Sequence, residues 1–383
     1  MKIAINAISA TAGGARTYLL NLARVLPGLG SHEYQLYLPS SAVAEMADLP
    51  RNFRLVVSPW AEHGYAARLL WEQLVLAREV KRWGADVLLC VGNFCPLRCP
   101  VPVVLLSRNP LYFTPRFLAD LIERRHYIWA AQHVLMTRLA LWSARTSRLT
   151  ITPTAAMGAM IRTTAGKRPP FLRTIHHGFQ LWPGLNGRLR TAPPHPPFRF
   201  LLVSPYNYFR NFETVFRAIA ELRSACGAGR LHLYLTTRLG PGLKLGGYDT
   251  TRAHMLIEEL GIREMVTTLG PVKYDSLPDL YASAHAVICP AYTESFSHTV
   301  VEAMAMGVPV IASDISIHRE VAGEAALFFS PLEPADMARR CRDLMDDESL
   351  QVRLRTAGAE RARIFSWRRH FEELLEAIAG AAG

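Results

Sequence analysis

The chain has 383 residues, half of them apolar and a fifth charged, with a net charge of +11. That composition excludes a disordered or fibrous protein, and the length suits two domains better than one core. No apolar run reaches the roughly 18 residues needed to span a bilayer.

The opening stretch MKIAINAISA enters a strand-like alternation at once and lacks the charged, apolar and cleavage regions of a signal peptide, which places the protein in the cytoplasm. Six cysteines show no zinc-like spacing; Cys95 and Cys99 bracket PLR without a second pair, so the cysteines read as small buried hydrophobes. The charge is uneven: residues 1–180 hold 21 Lys/Arg against 9 Asp/Glu, and the remainder holds 22 against 23. An excess confined to one half points to an anionic partner there, such as a membrane surface, a polyphosphate lipid or nucleic acid.

In chain order, KIAIN, YQLYL, FRLVV, DVLLCV, VVLL and RLTIT read as strands of a first sheet. Helix-period stretches separate several of them, notably Arg68–Trp83 and Arg116–Arg145. Near-continuous apolar strands alternating with helices predict a parallel sheet covered on both faces. From residue 178 to 198 the texture changes to GFQLWPGLNGRLRTAPPHPPF, where five prolines and three glycines predict a linker. The pattern restarts with FRFLLVS, LHLYLTT, VTTLG, HAVICP, PVIAS and ALFF, and it ends with a helix, SWRRHFEELLEAIAG, that Ser366 can cap. The expected organisation is a first domain over 1–178, a linker over 179–198, a second domain over 199–365 and a closing helix over 366–383 that returns toward the first domain. No internal repeat or low-complexity segment interrupts it. Two doubly wound domains with a joint make a clamshell, with ligands at the carboxyl ends of the strands and between the lobes.

The stretch ESFSHTVVEAMAMGVPVIAS, residues 294–313, carries the chemistry. AVICP is a buried strand, HTVVEAMAMG is a helix closed by Gly307, and AYTESFS crosses between them. A helix N-terminus at a strand's carboxyl end offers free N–H groups and a positive dipole end to a phosphate. Glu294 lies before that terminus and Glu302 about one turn inside it, so the two carboxylates can reach opposite ends of an elongated ligand. An anion would sit between them on the amides of Ser297, His298 and Thr299. Ribose diol, diphosphate and sugar hydroxyls follow one another in this way in a nucleotide sugar.

The residues that follow, EAMAMGVPVIASDISIHREVAG, closely resemble the donor-site signature of retaining glycosyltransferase family four, whose members have the GT-B fold. The match runs through Glu294, Glu302, Ala303–Ala305, Gly307 and Pro309. TAGGARTYLLNL resembles the family's N-terminal Gly-Gly loop, which implies that Gly13 and Gly14 open a helix facing the donor, and it is not the three-glycine dinucleotide fingerprint. IHHGF resembles its His-Gly segment, which implies His177 in the vicinity of the sugar or acceptor; LGPVKYDSLPDLYASAHAVICP resembles its base-binding region; and FSW at 365–367 resembles the start of its crossing helix. The resemblance implies an α/β GT-B architecture of two Rossmann-like doubly wound domains facing each other across a cleft.

Carried over by position, it implies that Glu294 holds hydroxyls of the transferred sugar, with Ser295 and Phe296 beside it. Glu302 would hold the ribose hydroxyls, and amides around Ser297, His298 and Thr299 the diphosphate. The family's diphosphate cations, Gly-Arg-x-x-x-x-Lys, appear here in altered form within SPYNYFRN. Arg210 takes the lysine place, Pro205 replaces the arginine, and Arg238 is the candidate substitute. In the first domain SRNP presents Arg108 and Asn109 near the sugar or acceptor, with a plain turn before Pro110 as the alternative. Glu294, Arg210 and Asn109 form the expected catalytic set. The implied reaction moves a hexose from a nucleoside-diphosphate sugar, GDP-mannose ahead of UDP-hexoses, to a lipid-linked or glycan acceptor. No metal or other cofactor is expected, since there is no Asp-x-Asp cluster and the cations can neutralise the leaving group. A nucleotide-sugar epimerase of the same fold and a basic nucleic-acid-binding protein are the competing readings. The second lacks aromatic-plus-basic repeats, and no nucleic-acid partner is expected. In Arg116–Arg148, six arginines outnumber two acids among Tyr127, Trp129 and Trp142, which suits peripheral attachment to an anionic membrane surface on its cytoplasmic face.

Overall fold

The computed structural model describes residues 1–10, 13–46, 48–180, 182 and 196–383. They fall into two compact units, Met1–Gly178 with Ser366–Gly383, and Phe179–Phe365. Most of the stretch expected as a linker lies outside the described residues.

The first unit is built on seven parallel strands: β1 (Lys2–Asn6), β2 (Glu33–Leu38), β3 (Phe53–Val57), β4 (Val87–Cys90), β5 (Val103–Leu106), β6 (Leu149–Thr152) and β7 (Leu172–Thr174). Their spatial order is β3-β2-β1-β4-β5-β6-β7. Successive side chains feed opposite faces. Ile3, Ile5, Leu36, Val87, Leu89 and Leu106 pack on one face with Tyr18, Leu22, Phe371, Leu374 and Ile378. Ala4, Tyr37, Leu88, Cys90 and Leu105 pack on the other with Trp71, Leu76 and Val80. Both faces are covered, which is why the strands read as continuous apolar runs. The short, half-buried β7 carries no such run and escapes the pattern.

Two expected helices are divided. The first runs as Gly64–Trp71 and Ala77–Trp83 with a π-turn over Glu72–Leu76 between them. The second splits into Pro115–Glu123 and Tyr127–Thr146. There the chain closes on Arg125 at φ 60°, with Arg125 N–H bonding Ile122 O and His126 N–H bonding Leu121 O. Arginine in a position that glycine ordinarily fills gives no stop signal in the sequence. Gly178 is required by close approach, because a Cβ there would lie 2.1 Å from the Trp367 nitrogen. Ser366 caps the helix Trp367–Ala382 through the Arg369 N–H.

The second unit has six parallel strands: β8 (Phe198–Leu202), β9 (Leu231–Leu235), β12 (Val266–Thr268), β13 (Ala286–Cys289), β14 (Val310–Ser313) and β15 (Ala326–Phe329). A small hairpin of β10 (Lys244–Leu245) and β11 (Tyr248–Asp249) turns through Gly246 and Gly247, both at positive φ. The sheet order is β12-β9-β8-β13-β14-β15. The chain therefore winds outward from β8 through β9 to β12 and then crosses back to β13. Between β8 and β13 the winding reverses, and their carboxyl ends open the crevice where such sheets take ligands. The corresponding reversal in the first unit falls between β1 and β4.

Candidate functional site

At the switch point of the second unit, two loops are locked to each other by backbone and side-chain bonds. After β8, Ser204 N–H and Tyr206 N–H donate to the hydroxyls of Thr236 and Thr237 beyond β9, at 3.0 and 3.2 Å. Asn207 Oδ1 accepts from Arg210 N–H at 3.1 Å and so caps the turn Tyr208–Arg210. Asn211 follows at φ 56°, a conformation its short amide tolerates. Its Nδ2 donates to Pro290 O and Pro331 O, its Oδ1 accepts from Thr214, and Tyr292 N–H reaches Phe209 O at 3.0 Å. This lacing fixes Arg210 beside the loop that follows β13.

Arg210 Nη1 pairs with Glu294 Oε1, and the guanidinium lies 5.1 Å from the Phe209 ring centroid. Its Nε is buried with no hydrogen-bond partner. Burial lowers the Arg210 pKa to about 10, which still leaves it charged at neutral pH. Glu294 is itself buried. The two groups that the sequence assigns to different parts of a ligand are bound to each other here.

Past Glu294, Phe296 is anchored in the core against Phe365 and the His298 ring, with Ser295 half-buried beside it. Ser297 then takes φ 67°, a left-handed conformation that costs a non-glycine residue about 1 kcal/mol. The helix His298–Ala305 starts immediately after it without a side-chain cap. The backbone N–H groups of Ser297 and Thr299 bond no described residue, so the helix terminus keeps donors for an anion. At the far end Gly307 at φ 65° closes the helix, with Val308 N–H on Ala303 O and Gly307 N–H on Met304 O. Glu302, one turn in, accepts a 2.7 Å bond from Tyr281 Oη, and burial raises its pKa. Arg238 lies exposed beyond β9 with its stem against Gly270, and no described acid pairs with it. Pro205 is exposed at the same edge.

The first unit places its candidates at the carboxyl edge of its own sheet. Gly13 opens the helix Gly13–Val25, and a side chain at Gly14 would meet open space. Asn93, which the sequence reading missed, accepts with one Oδ1 from Arg108 N–H at 2.8 Å and Asn109 N–H at 2.9 Å, with Ser107 Oγ at 3.4 Å. Arg108 donates to Gly14 O at 3.4 Å and lies 4.8 Å from the Tyr18 ring centroid. Burial lowers its pKa to about 10, its Nε is buried without a partner, and no described acid pairs with it. Asn109 Oδ1 caps the turn Pro110–Phe113 by accepting from Leu111 N–H, the duty foreseen as the alternative for this residue. His177 is buried in an aromatic cluster, 5.5 Å from Tyr18 and stacked 5.8 Å from Trp367. Its neighbour His370 bonds Tyr18 Oη and His176 O, so the cluster seats the last helix.

Among the described residues no group of three His, Cys, Asp or Glu could hold a metal ion. All six cysteines are free, with Cys90, Cys95, Cys289 and Cys341 buried. Asn211 and Tyr281 also went unnoticed in the sequence; the only signal for Asn211 was its place next to Arg210 at a helix start.

Two family models match adjoining halves of the chain: Glycosyltransferase Family 4 over residues 12–182 and Glycosyl transferases group 1 over residues 191–361. A D-inositol 3-phosphate glycosyltransferase of Catenulispora acidiphila is 30% identical over 229 residues, 57% of this chain and 54% of that protein. The O-antigen chain mannosyltransferase B of Escherichia coli is 33% identical over 138 residues, 35% of this chain and 36% of that one. The chain thus spans about half or less of the length of these curated relatives. Sucrose-phosphate synthase from Thermosynechococcus elongatus has the same fold, with a TM-score of 0.77 over the whole of both chains at 18% identity.

Proposed function

This chain belongs to glycosyltransferase family four, of GT-B fold, and we propose that it moves a hexose from a nucleoside-diphosphate sugar to a lipid-linked or polysaccharide acceptor in bacterial surface-glycan synthesis, with retention of anomeric configuration. The observation that carries the reading is the Arg210–Glu294 pair at the β8/β13 switch point, next to the open N-terminus of His298–Ala305. An arriving diphosphate takes Arg210 and the Ser297 and Thr299 amides, and Glu294 is released to the hydroxyls of the transferred sugar. Glu302 accepts from the ribose diol. Departure of the nucleoside diphosphate develops negative charge, which the guanidinium and the helix terminus stabilise from fixed positions. The acceptor hydroxyl attacks on the face the leaving group vacates, and a phosphate oxygen takes its proton. Arg238 serves as an outer cation for the diphosphate in place of the family arginine. The chemistry needs no metal.

The donor is GDP-mannose ahead of UDP-hexoses, a preference supported by the likeness to a mannosyltransferase that builds O-antigen chains. The acceptor is held on the first unit near Arg108, and Gly13 and Gly14 open a helix that serves the donor. The enzyme works at an anionic membrane surface, on the cytoplasmic face. Calorimetry with GDP and UDP tests the donor, and tighter UDP binding would remove GDP-mannose from first place. Incubation with labelled sugar nucleotide, with and without extracted lipid acceptors, tests the reaction. Acceptor-dependent release of nucleoside diphosphate is expected, and its absence with every acceptor tried would overturn the reading.

A further inference from the structure

The helix His298–Ala305 sends Val300, Val301, Ala303 and Met304 into the core, and its one acid, Glu302, lies half-buried beside them. A carboxyl group in such company is retained against a desolvation penalty, and burial does raise its pKa. A single protein bond offsets the penalty. Tyr281, in the helix Leu277–Ser283, donates its phenolic hydrogen to Glu302 Oε2 at 2.7 Å. No other described residue donates to Glu302, and the tyrosine hydroxyl has no second partner among them. Tyr281 is fully buried, with its ring 6.0 Å from that of Trp182, whose indole N–H is tied to Tyr274 O at 3.2 Å.

A tyrosine that only filled this space would be replaceable by phenylalanine, which packs as well and brings no polar atom that must be satisfied. The hydroxyl adds two things. It fixes the rotation of the Glu302 carboxyl about its terminal bond, and it favours the ionised form against the cost of burial. One carboxylate oxygen is thereby held by protein, and Oε1 remains as the acceptor.

We propose that Tyr281 is a positioning residue for the nucleoside end of the donor: its phenol locks the Glu302 carboxylate so that Oε1 accepts from the vicinal hydroxyls of the ribose. This inference rests on the donor-site reading above, in which Glu302 meets the ribose.

The test compares GDP and UDP with their 2′,3′-dideoxy forms by calorimetry on the full chain. Wild-type protein should prefer the ribose forms by about ten-fold, the effect of one charged hydrogen bond. Tyr281→Phe should lose most of that preference by weakening the ribose forms roughly five- to ten-fold while changing the dideoxy forms less than two-fold. A hydroxyl with a merely structural role would weaken both forms equally. Should the phenylalanine variant not fold, 4-fluorophenylalanine at position 281 fills the hydroxyl's volume without donating and gives the same comparison. Glu302→Gln separates the two levels of the argument. If it keeps the ribose preference, the assignment of Glu302 is wrong. If it loses the preference and Tyr281→Phe keeps it, Glu302 stands and the role given to Tyr281 is overturned.

Discussion

Each unit holds one arginine just beyond a strand of its sheet whose pKa burial lowers to about 10, and the two are satisfied in opposite ways. Arg210 in the second unit is closed on a carboxylate, Glu294. Arg108 in the first has no acid among the described residues and rests on the face of Tyr18 and the carbonyl of Gly14. A buried guanidinium without an anion is costly, and a ring face compensates only by about 1–2 kcal/mol. In the proposed function the second unit carries a stand-in anion that an arriving diphosphate would displace, exchanging one ion pair for another. The first unit has no such stand-in, and an anionic group placed there would add to its stability without displacing anything.

Removing the stand-in is the strongest way to break this comparison. Glu294→Ala should lower turnover about a thousand-fold, because the proposed mechanism gives the lost contact to the reacting sugar. It should also lower stability by about 2 kcal/mol, less than for a fully buried pair because Arg210 is partly exposed. GDP or UDP should raise the melting temperature of the variant more than that of wild type, since the diphosphate restores the missing anion. Equal shifts in the two proteins would show that Arg210 does not meet the phosphates.

Next in size is an acid limb confined to the second unit. His318 is fully buried; its Nδ1 bonds Ser313, Nε2 has no partner, and burial foremost, with Arg210 adding to it, lowers its pKa to about 4. The free imidazole titrates near 6.5, so as pH falls the unfolded chain takes a proton first. Stability is then intact above about pH 6.5, declines down to about pH 4 and loses on the order of 3 kcal/mol in all. His318→Gln should flatten that limb in denaturant titrations at a series of pH values. An unchanged slope would assign the acid sensitivity to other groups.

The paired substitutions Arg210→Gln and Arg108→Gln sharpen the contrast directly. The first should weaken nucleoside-diphosphate binding by about 1.5–3 kcal/mol, the worth of a charged hydrogen bond. The second should leave that affinity within about two-fold, since nothing in the donor reading uses Arg108. Comparable losses from both would erase the distinction between the two edges.

Much of this was legible in the chain because the signals are periodic or chemical. Twelve apolar runs became twelve of the parallel strands, since strands buried on both faces leave little room for polar residues. Glu294 and Glu302 were read from acids flanking a strand–turn–helix together with the resemblance to the family's donor-site signature, and Arg210 from its place in that family's diphosphate segment. What escaped was decided by partners distant in sequence. The rings that surround His177 come from the last helix, and nothing in IHHGF announces them. Asn93 and Tyr281 are single polar residues whose partners lie 15 and 21 positions away. The break at Arg125 carries no glycine, and the Glu294–Arg210 pair spans 84 residues.

The smallest expected effect concerns the surfaces of the two units. Residues 1–180 carry the entire cationic excess. Of the six arginines in Arg116–Arg148, Arg116 pairs with Glu123 and Arg124 with Asp120, which uses both acids. Arg145 is turned onto the carbonyls of Ala165 and Arg168. Arg125 and Arg138 are exposed and pair with no described acid. Along Tyr127–Thr146, Ile128 is 75% exposed, Leu135 54% and Trp142 50%. Spaced seven apart, they line one side of the helix, and an apolar line flanked by arginines suits the headgroup region of an anionic bilayer. No helix among the described residues is long and apolar enough to cross a membrane. Vesicles containing anionic lipid should sediment the full chain at low salt and release it at high salt, because exposed charges contribute about 1 kcal/mol each and are screened. Trp142→Ala should weaken that binding by about 1–2 kcal/mol without altering GDP or UDP affinity. If the wild-type chain stays in the supernatant at low salt, the arginines of the first unit serve a soluble acceptor instead, and the contrast between the units lies in what they bind rather than in where they work.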